Sequence, residues 1–305
     1  MSAWTTPQPD EPRPRVGSHR PDPVVAVEPP LPNFLVVGAM KAGTTSLAAW
    51  LREHPSIFIP QRKELKFFHD PTYWKRGVEW YRQQFAGAAG EPAVGEATPG
   101  YMAHPEARER IARVLPGVRL IAILRHPAER AYSQYHHLKA VGRERRTFAK
   151  VIEEELGGSP PAFAYYYERG RYLDHLKALR ALFPPEDIHI VLFEDLVADP
   201  NGTFATVCAF LGVDAEDAPD NVGRVYNPRM RVRSVWLRNA IPKLRARRLI
   251  SASMAGRIKT WNSGASKKPY PPFDPELRQR LVDAYADQLP ELEAMIGRDL
   301  SAWRR

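Results

Sequence analysis

A lysine, two glycines and three consecutive hydroxyl side chains stand together in Gly38-Ala39-Met40-Lys41-Ala42-Gly43-Thr44-Thr45-Ser46. The apolar run Phe34-Leu35-Val36-Val37 precedes them and Leu47-Ala48-Ala49-Trp50-Leu51 follows. The first run reads as a buried strand and the second as the start of a helix. A loop placed there offers the unpaired amides and the positive dipole end of a helix N-terminus to an anion. Glycine lets a phosphate approach the backbone, Lys41 adds a full charge, and the hydroxyls of Thr44, Thr45 and Ser46 can bind oxygens. The arrangement reads as a phosphate cradle.

It departs from the nucleoside triphosphate pattern G-x-x-x-x-G-K-[ST], in which lysine directly follows the second glycine. Here Thr44 follows Gly43, and the lysine comes two residues earlier. A magnesium-dependent phosphoryl transferase also needs an acidic residue at the end of a neighbouring strand. The matching strand, Val118 to Leu124, ends in Arg125-His126-Pro127. A cation at that point implies that protein side chains, and not a metal, meet the phosphate charge.

Further segments extend the pattern: Arg125 with Ser133 eight residues on, Lys63-Glu64-Leu65-Lys66-Phe67-Phe68, Gly77-Val78-Glu79-Trp80-Tyr81, Gly95-Glu96-Ala97-Thr98-Pro99, Phe193-Glu194-Asp195-Leu196 and Lys267-Lys268-Pro269-Tyr270-Pro271. In this order they resemble the sulfotransferases that use 3′-phosphoadenosine-5′-phosphosulfate (PAPS), in the carbohydrate branch typified by the heparan sulfate enzymes. The resemblance runs from about Asn33 to the end of the chain. It implies that Lys41, Ala42, Gly43, Thr44 and Thr45 form the 5′-phosphosulfate loop and that Arg125 and Ser133 hold the 3′-phosphate. Ser266, Lys267 and Lys268 would fold over the same end of the nucleotide. Glu64 would be the general base, and Lys41 would stabilise the departing phosphate. Lys63 would touch the sulfuryl group, while Trp80, Tyr81 and Thr98 would line the acceptor cleft. No metal is required in such a site. Small-phenol sulfotransferases use a histidine base, so His126, His136 and His137 are weighed against Glu64.

These residues need elements to position them. Strand-like runs occur at Phe34–Val37, Ser56–Ile59, Ala93–Glu96, Leu120–Leu124 and Ile188–Phe193, with helical patterns at Thr45–Glu53, Glu106–Val114, Ala128–Val141 and Tyr172–Leu182. Alternating strands and helices, with apolar strands lacking polar alternation, predict an α/β fold with a central parallel sheet flanked by helices. With the cradle, this is a P-loop-like three-layer arrangement. Lys41 and Arg125 then fall beyond the C-terminal strand ends, where open α/β sheets bind ligands.

The 305 residues suffice for one large domain. Residues 1–32, with nine prolines and no periodicity, read as a disordered arm, and 33–305 as a single domain with a basic lid over about 221–273. No acidic residue occurs between Asp220 and Asp274, and Leu237, Ile241 and Leu244 recur there at helical spacing among arginines. This field, within a net charge of +9, favours anionic partners: the nucleotide, an acidic acceptor or, weakly, a membrane surface. Nucleic acid is not expected, because the interleaved aromatics of single-strand binders are lacking. Cys208 is the single cysteine, which excludes an intrachain disulfide and any cysteine metal cluster. No apolar run reaches the ~20 residues of a membrane span, and a cytoplasmic location is expected. Two alternatives stay open at this point: a P-loop kinase of a small metabolite, and a non-catalytic polyanion binder resting on the basic tail. The leading expectation is sulfuryl transfer from PAPS to a hydroxyl of a carbohydrate or glycosylated small molecule.

Overall fold

A computed structural model of the protein describes residues 28–158, 165–226, 230–232, 234–247, 249–265 and 270–305. The arm as far as residue 27 and the segment Ser266 to Lys268 lie outside the described residues. Pro29 accepts a hydrogen bond from Arg82 Nη1 at 3.0 Å, and Leu31 packs against the core, so these positions are docked.

Five strands, β1 (Phe34–Gly38), β2 (Ile57–Phe58), β3 (Ala93–Ala97), β4 (Arg119–Leu124) and β5 (Ile188–Leu192), form one sheet in the order β2-β3-β1-β4-β5. Every pairing is parallel. Every residue of β1 and β3 is buried, as is every residue of β4 after Arg119, which is why their sequences run apolar without alternation. Each strand matches a predicted one to within two residues.

Helix α1 (Thr44–Arg52) leaves β1, and the short α2 (Pro71–Trp74) and α3 (Gly77–Arg82) follow β2. Helix α4 (Pro105–Val114) connects β3 to β4. Then α5 (Pro127–Ala140), α6 (Phe148–Leu156) and α7 (Tyr172–Arg180) precede β5, and α8 (Phe193–Ala198) and α9 (Pro200–Leu211) follow it. β1 sits at the centre of the order, with β3 on one side and β4 on the other. The chain reverses direction across the sheet there, so the loops after β1 and β4 meet at the switch point where α/β sheets take ligands.

The basic segment holds more structure than one helix. Strands β6 (Met230–Val232) and β7 (Ser263–Ala265) pair antiparallel and bracket α10 (Val235–Ala246) and α11 (Ala252–Asn262). Ile241 is buried on α10, as its apolar spacing predicts. Helices α12 (Pro275–Tyr285) and α13 (Leu289–Ile296) return to the main body, where α12 joins α5 and α6 in a second apolar cluster. Cys208 is buried in the main core. Among the described residues no helix is long and apolar enough to cross a membrane.

Gly95 on β3 pairs with Phe34 on β1, and a Cβ added at Gly95 would lie 2.4 Å from the Phe34 ring. Gly95→Ala should therefore lower stability by about 1–3 kcal/mol, the usual penalty of overpacking. Chemical denaturation of the variant measures this, and Phe34→Leu in the same background should restore part of the loss.

Candidate active site

The cradle takes its shape from two positive backbone angles. Lys41 has φ 72° and Gly43 has φ 92°, and a Cβ at Gly43 would come within 2.7 Å of Leu196 Cδ2. Glycine is required there on both counts. Gly43 caps α1 without a side-chain hydrogen bond, which leaves first-turn amides for a ligand. Ala42 departs from the expectation of direct contact: its methyl is buried and its amide donates to Ala39 O at 3.2 Å, so it shapes the loop. Thr44 is likewise buried. The Ser46 hydroxyl accepts from the Tyr226 amide at 3.0 Å and serves the tail, not the cradle.

Glu64 stands in the loop that follows β2, where burial alternates. Leu65, Phe67 and Phe68 are buried, whereas the side chains of Lys63, Glu64 and Lys66 are 38%, 31% and 44% exposed. Positive φ at Glu64 (55°) and Lys66 (60°) produces this alternation. The Glu64 carboxylate lies 3.7 Å from both Lys63 Nζ and Lys66 Nζ. Lys63 also donates to Thr45 Oγ1 at 2.5 Å, which ties the Glu64 loop to the cradle.

Arg125 occupies the turn between β4 and α5. Its Nη1 donates to Lys41 O at 3.1 Å, its guanidinium lies 4.7 Å from the Phe193 ring centroid, and the Tyr172 hydroxyl donates to its carbonyl at 2.9 Å. Arg125, His126, Glu129, Phe193 and Glu194 line a cleft of about 390 Å³. The fold thus gathers Lys41, Thr45, Lys63, Glu64 and Arg125 from three separate loops. Burial pulls the Lys41 ammonium down to about 8, Arg125 and Lys63 add to the shift, and Glu64 opposes it.

Ser133 is buried two turns into α5. Its neighbour Tyr132 donates to Pro271 O at 2.9 Å, and β6, the partner of β7, lies against α5. The segment holding Ser266, Lys267 and Lys268 therefore leaves and rejoins the described chain beside α5. His136 stacks on Tyr270 at 4.5 Å, away from Glu64 in sequence and element, and His126 is buried between Arg278 and the Arg305 carbonyl.

Two acceptor expectations require correction. Tyr81 is 0% exposed and donates to Glu96 at 3.1 Å, so it cannot line a cleft. Thr98 is 1% exposed with its hydroxyl engaged by Glu96 and by the Lys66 amide. Trp80 is only partly buried and stacks on Tyr73 with centroids 5.4 Å apart. Arg62 and Arg76 lie over this pair at 4.9–5.7 Å, forming a cationic aromatic face beside Lys63. Sequence reasoning missed Tyr73, Arg62 and Arg76, and also Arg169. The Arg169 guanidinium donates to Met40 Sδ at 3.3 Å, and burial draws it down to about 10. Arg130 adds to that shift and Glu155 opposes it.

A profile of the sulfotransferase domain matches residues 31–295. The chain belongs to the sulfotransferase family. The kinase and the non-catalytic polyanion binder are set aside on this ground. A mouse bifunctional heparan sulfate N-deacetylase/N-sulfotransferase 4 is 30% identical over 292 residues, covering 90% of this chain and 31% of that protein. A mouse heparan sulfate glucosamine 3-O-sulfotransferase 5 is 28% identical over 187 residues, covering 60% of this chain and 54% of that protein. The chain thus spans about a third to a half of these curated relatives. The crystal structure of a sulfotransferase from Alicyclobacillus acidocaldarius superposes with a TM-score of 0.68 at 30% identity, covering 90% of this chain and 99% of that one.

A lysine that titrates near 8 makes a pH prediction. Its charged form is the one that holds an anion, so kcat/KM should fall as pH rises through about 8. A bound anionic donor favours the ammonium and should move the limb in kcat to higher pH. Lys41→Arg stays charged throughout and should lose this limb, whatever its absolute rate. A limb that persists unchanged in Lys41→Arg would belong to another group.

Proposed function

We propose that this sulfotransferase moves the sulfuryl group of PAPS to a hydroxyl of a carbohydrate or a glycosylated small molecule. The observation that carries the reading is the convergence of Lys41, Lys63 and Arg125 around a loop with no room for a side chain at Gly43. Such a cluster of cations, only partly offset by Glu64, suits a donor with phosphate at two positions. Lys41 meets the bridging oxygen, where charge grows as the S–O bond to phosphate breaks. Arg125 and Ser133 take the 3′-phosphate, with Ser266, Lys267 and Lys268 closing beside α5. Glu64 accepts the acceptor proton as the acceptor oxygen bonds to sulfur, and the bisphosphate leaves with the electron pair of the broken bond. The part-exposed Glu64 side chain is reachable from solvent, and it lies 3.7 Å from the ammonium groups of both Lys63 and Lys66. The cationic face of Tyr73, Trp80, Arg62 and Arg76 suits a sugar ring carrying anionic groups. Both mouse relatives are named for heparan sulfate, which favours a glycan acceptor, and the second is named for O-transfer.

Adenosine 3′,5′-bisphosphate should stabilise the protein against heat far more than AMP, since only the former reaches Arg125 and Ser133 with a 3′-phosphate. At a hundredfold excess over Kd the gain is roughly 2.7 kcal/mol, and Arg125→Ala should erase most of the difference. Equal shifts with the two nucleotides would overturn the donor assignment. Glu64→Gln should keep bisphosphate affinity and lower turnover by about 10²–10⁴. Full activity in that variant, with His136→Ala or His137→Ala dead, would move the base to histidine. Tandem mass spectrometry of candidate glycans after incubation with PAPS reads which acceptor gains sulfate and whether oxygen or nitrogen carries it.

A further inference from the structure

Glu96 is a glutamate in the middle of the sheet, 2% exposed, at the end of β3. A carboxylate in such surroundings is costly unless hydrogen bonds replace its water. Here the Tyr81 hydroxyl donates to Oε1 at 3.1 Å, the Tyr101 hydroxyl donates to the same oxygen at 2.7 Å, and the Thr98 hydroxyl donates to Oε2 at 2.6 Å. The Lys66 amide in turn donates to Thr98 Oγ1 at 3.3 Å. The Lys66 amide, two residues after Glu64, is therefore held by the Glu96 network through one hydroxyl.

The loop needs this support. Glu64 and Lys66 both adopt left-handed backbone conformations, which cost free energy in residues other than glycine and persist only where surroundings enforce them. The tyrosines that bond Glu96 also grip the loop from its far side. Phe67 stacks on Tyr81 at 4.5 Å, and the Phe68 ring meets the edge of Tyr101 at 5.4 Å. We propose that Glu96 is a positioning residue for Glu64: its buried carboxylate fixes the two left-handed turns that aim the Glu64 carboxylate at the cradle. The inference rests on the reading of Glu64 as the base. It explains why Thr98, Tyr81 and Tyr101 surround a charge that touches neither donor nor acceptor.

The test compares full-length wild type with Glu96→Gln, Thr98→Val and Thr98→Ser, each alone and Thr98→Val combined with Glu64→Gln. Thr98→Val is isosteric and removes only the hydroxyl link, so it serves should Glu96→Gln fold poorly. Both Glu96→Gln and Thr98→Val should lower kcat by about 10–100-fold, the scale of a misplaced catalytic group. Bisphosphate affinity and acceptor KM should hold within about twofold, and amide exchange at Lys66 should quicken. Thr98→Ser should recover most of the loss. The double variant Glu64→Gln/Thr98→Val should be no slower than Glu64→Gln, because the network acts through a carboxylate already removed. Multiplying losses in the double variant would overturn the inference, as would unchanged exchange at Lys66. Full turnover in Glu64→Gln would instead remove the base reading. Faster exchange in Thr98→Val would then still support Glu96 as the holder of the loop.

Discussion

Lys41, Lys63 and Arg125 are held together against their mutual repulsion, and the rest of the structure is arranged around that conflict. Burial and the neighbouring cations already lower the pKa of the Lys41 ammonium to about 8. Glu64 relieves the field only in part, since its carboxylate stands 3.7 Å from two flanking ammonium groups. An anionic ligand relieves it further, so the site's own electrostatics favour anionic over neutral ligands. Arg169 extends the same imbalance to the other flank of Met40. A guanidinium against the Met40 thioether, only partly offset by Glu155, adds to the positive field beside the cradle.

The sheet makes this crowding affordable. Placing β1 between β3 and β4 brings the cradle, the Arg125 turn and the segment after β3 to one edge of a rigid, buried layer. Each cation then rides on a loop whose roots cannot drift. Tyr172 fixes the Arg125 carbonyl, Lys63 is tied to Thr45, and α8 closes against Gly43 through Leu196 and Phe193. Charges that would separate in a flexible chain stay in place because separation would require breaking the core.

Much of this was legible in the chain itself. Strands buried on both faces leave continuous apolar runs, and the cradle's residue order departs from the triphosphate pattern in a way that has a chemical meaning. The acceptor side was less legible, for a geometric reason. Trp80 and Tyr81 are adjacent on α3, and neighbours on a helix point about 100° apart, so one faces outward over Tyr73 while the other goes into the core. Thr98 lies two residues from Glu96, and residues two apart on an extended chain share a face. Both side chains are therefore drawn inward together. The short α2 and α3 carry too little periodicity to be read, and the pairing of Arg62 and Arg76 with Tyr73 and Trp80 exists only once those turns fold. The positive φ angles at Glu64 and Lys66 leave no composition signal, because the residues involved are not glycine.

The basic tail is fastened at both ends to α1 and α5, the helices that leave the cradle and the Arg125 turn. At its start Trp50 Nε1 donates to Arg224 O at 2.9 Å and Ser46 holds Tyr226, both from α1. At its end Tyr132 on α5 holds Pro271. Between those anchors α10 and α11 can lengthen, shorten or change charge without displacing α1 and α5, since such change is tolerated when the roots are fixed. The architecture thereby separates two evolutionary tasks. The sheet edge carries the loops of the candidate site, while α10 and α11 form a separately anchored unit, and grafting that pair between related scaffolds is the natural way to change what it meets.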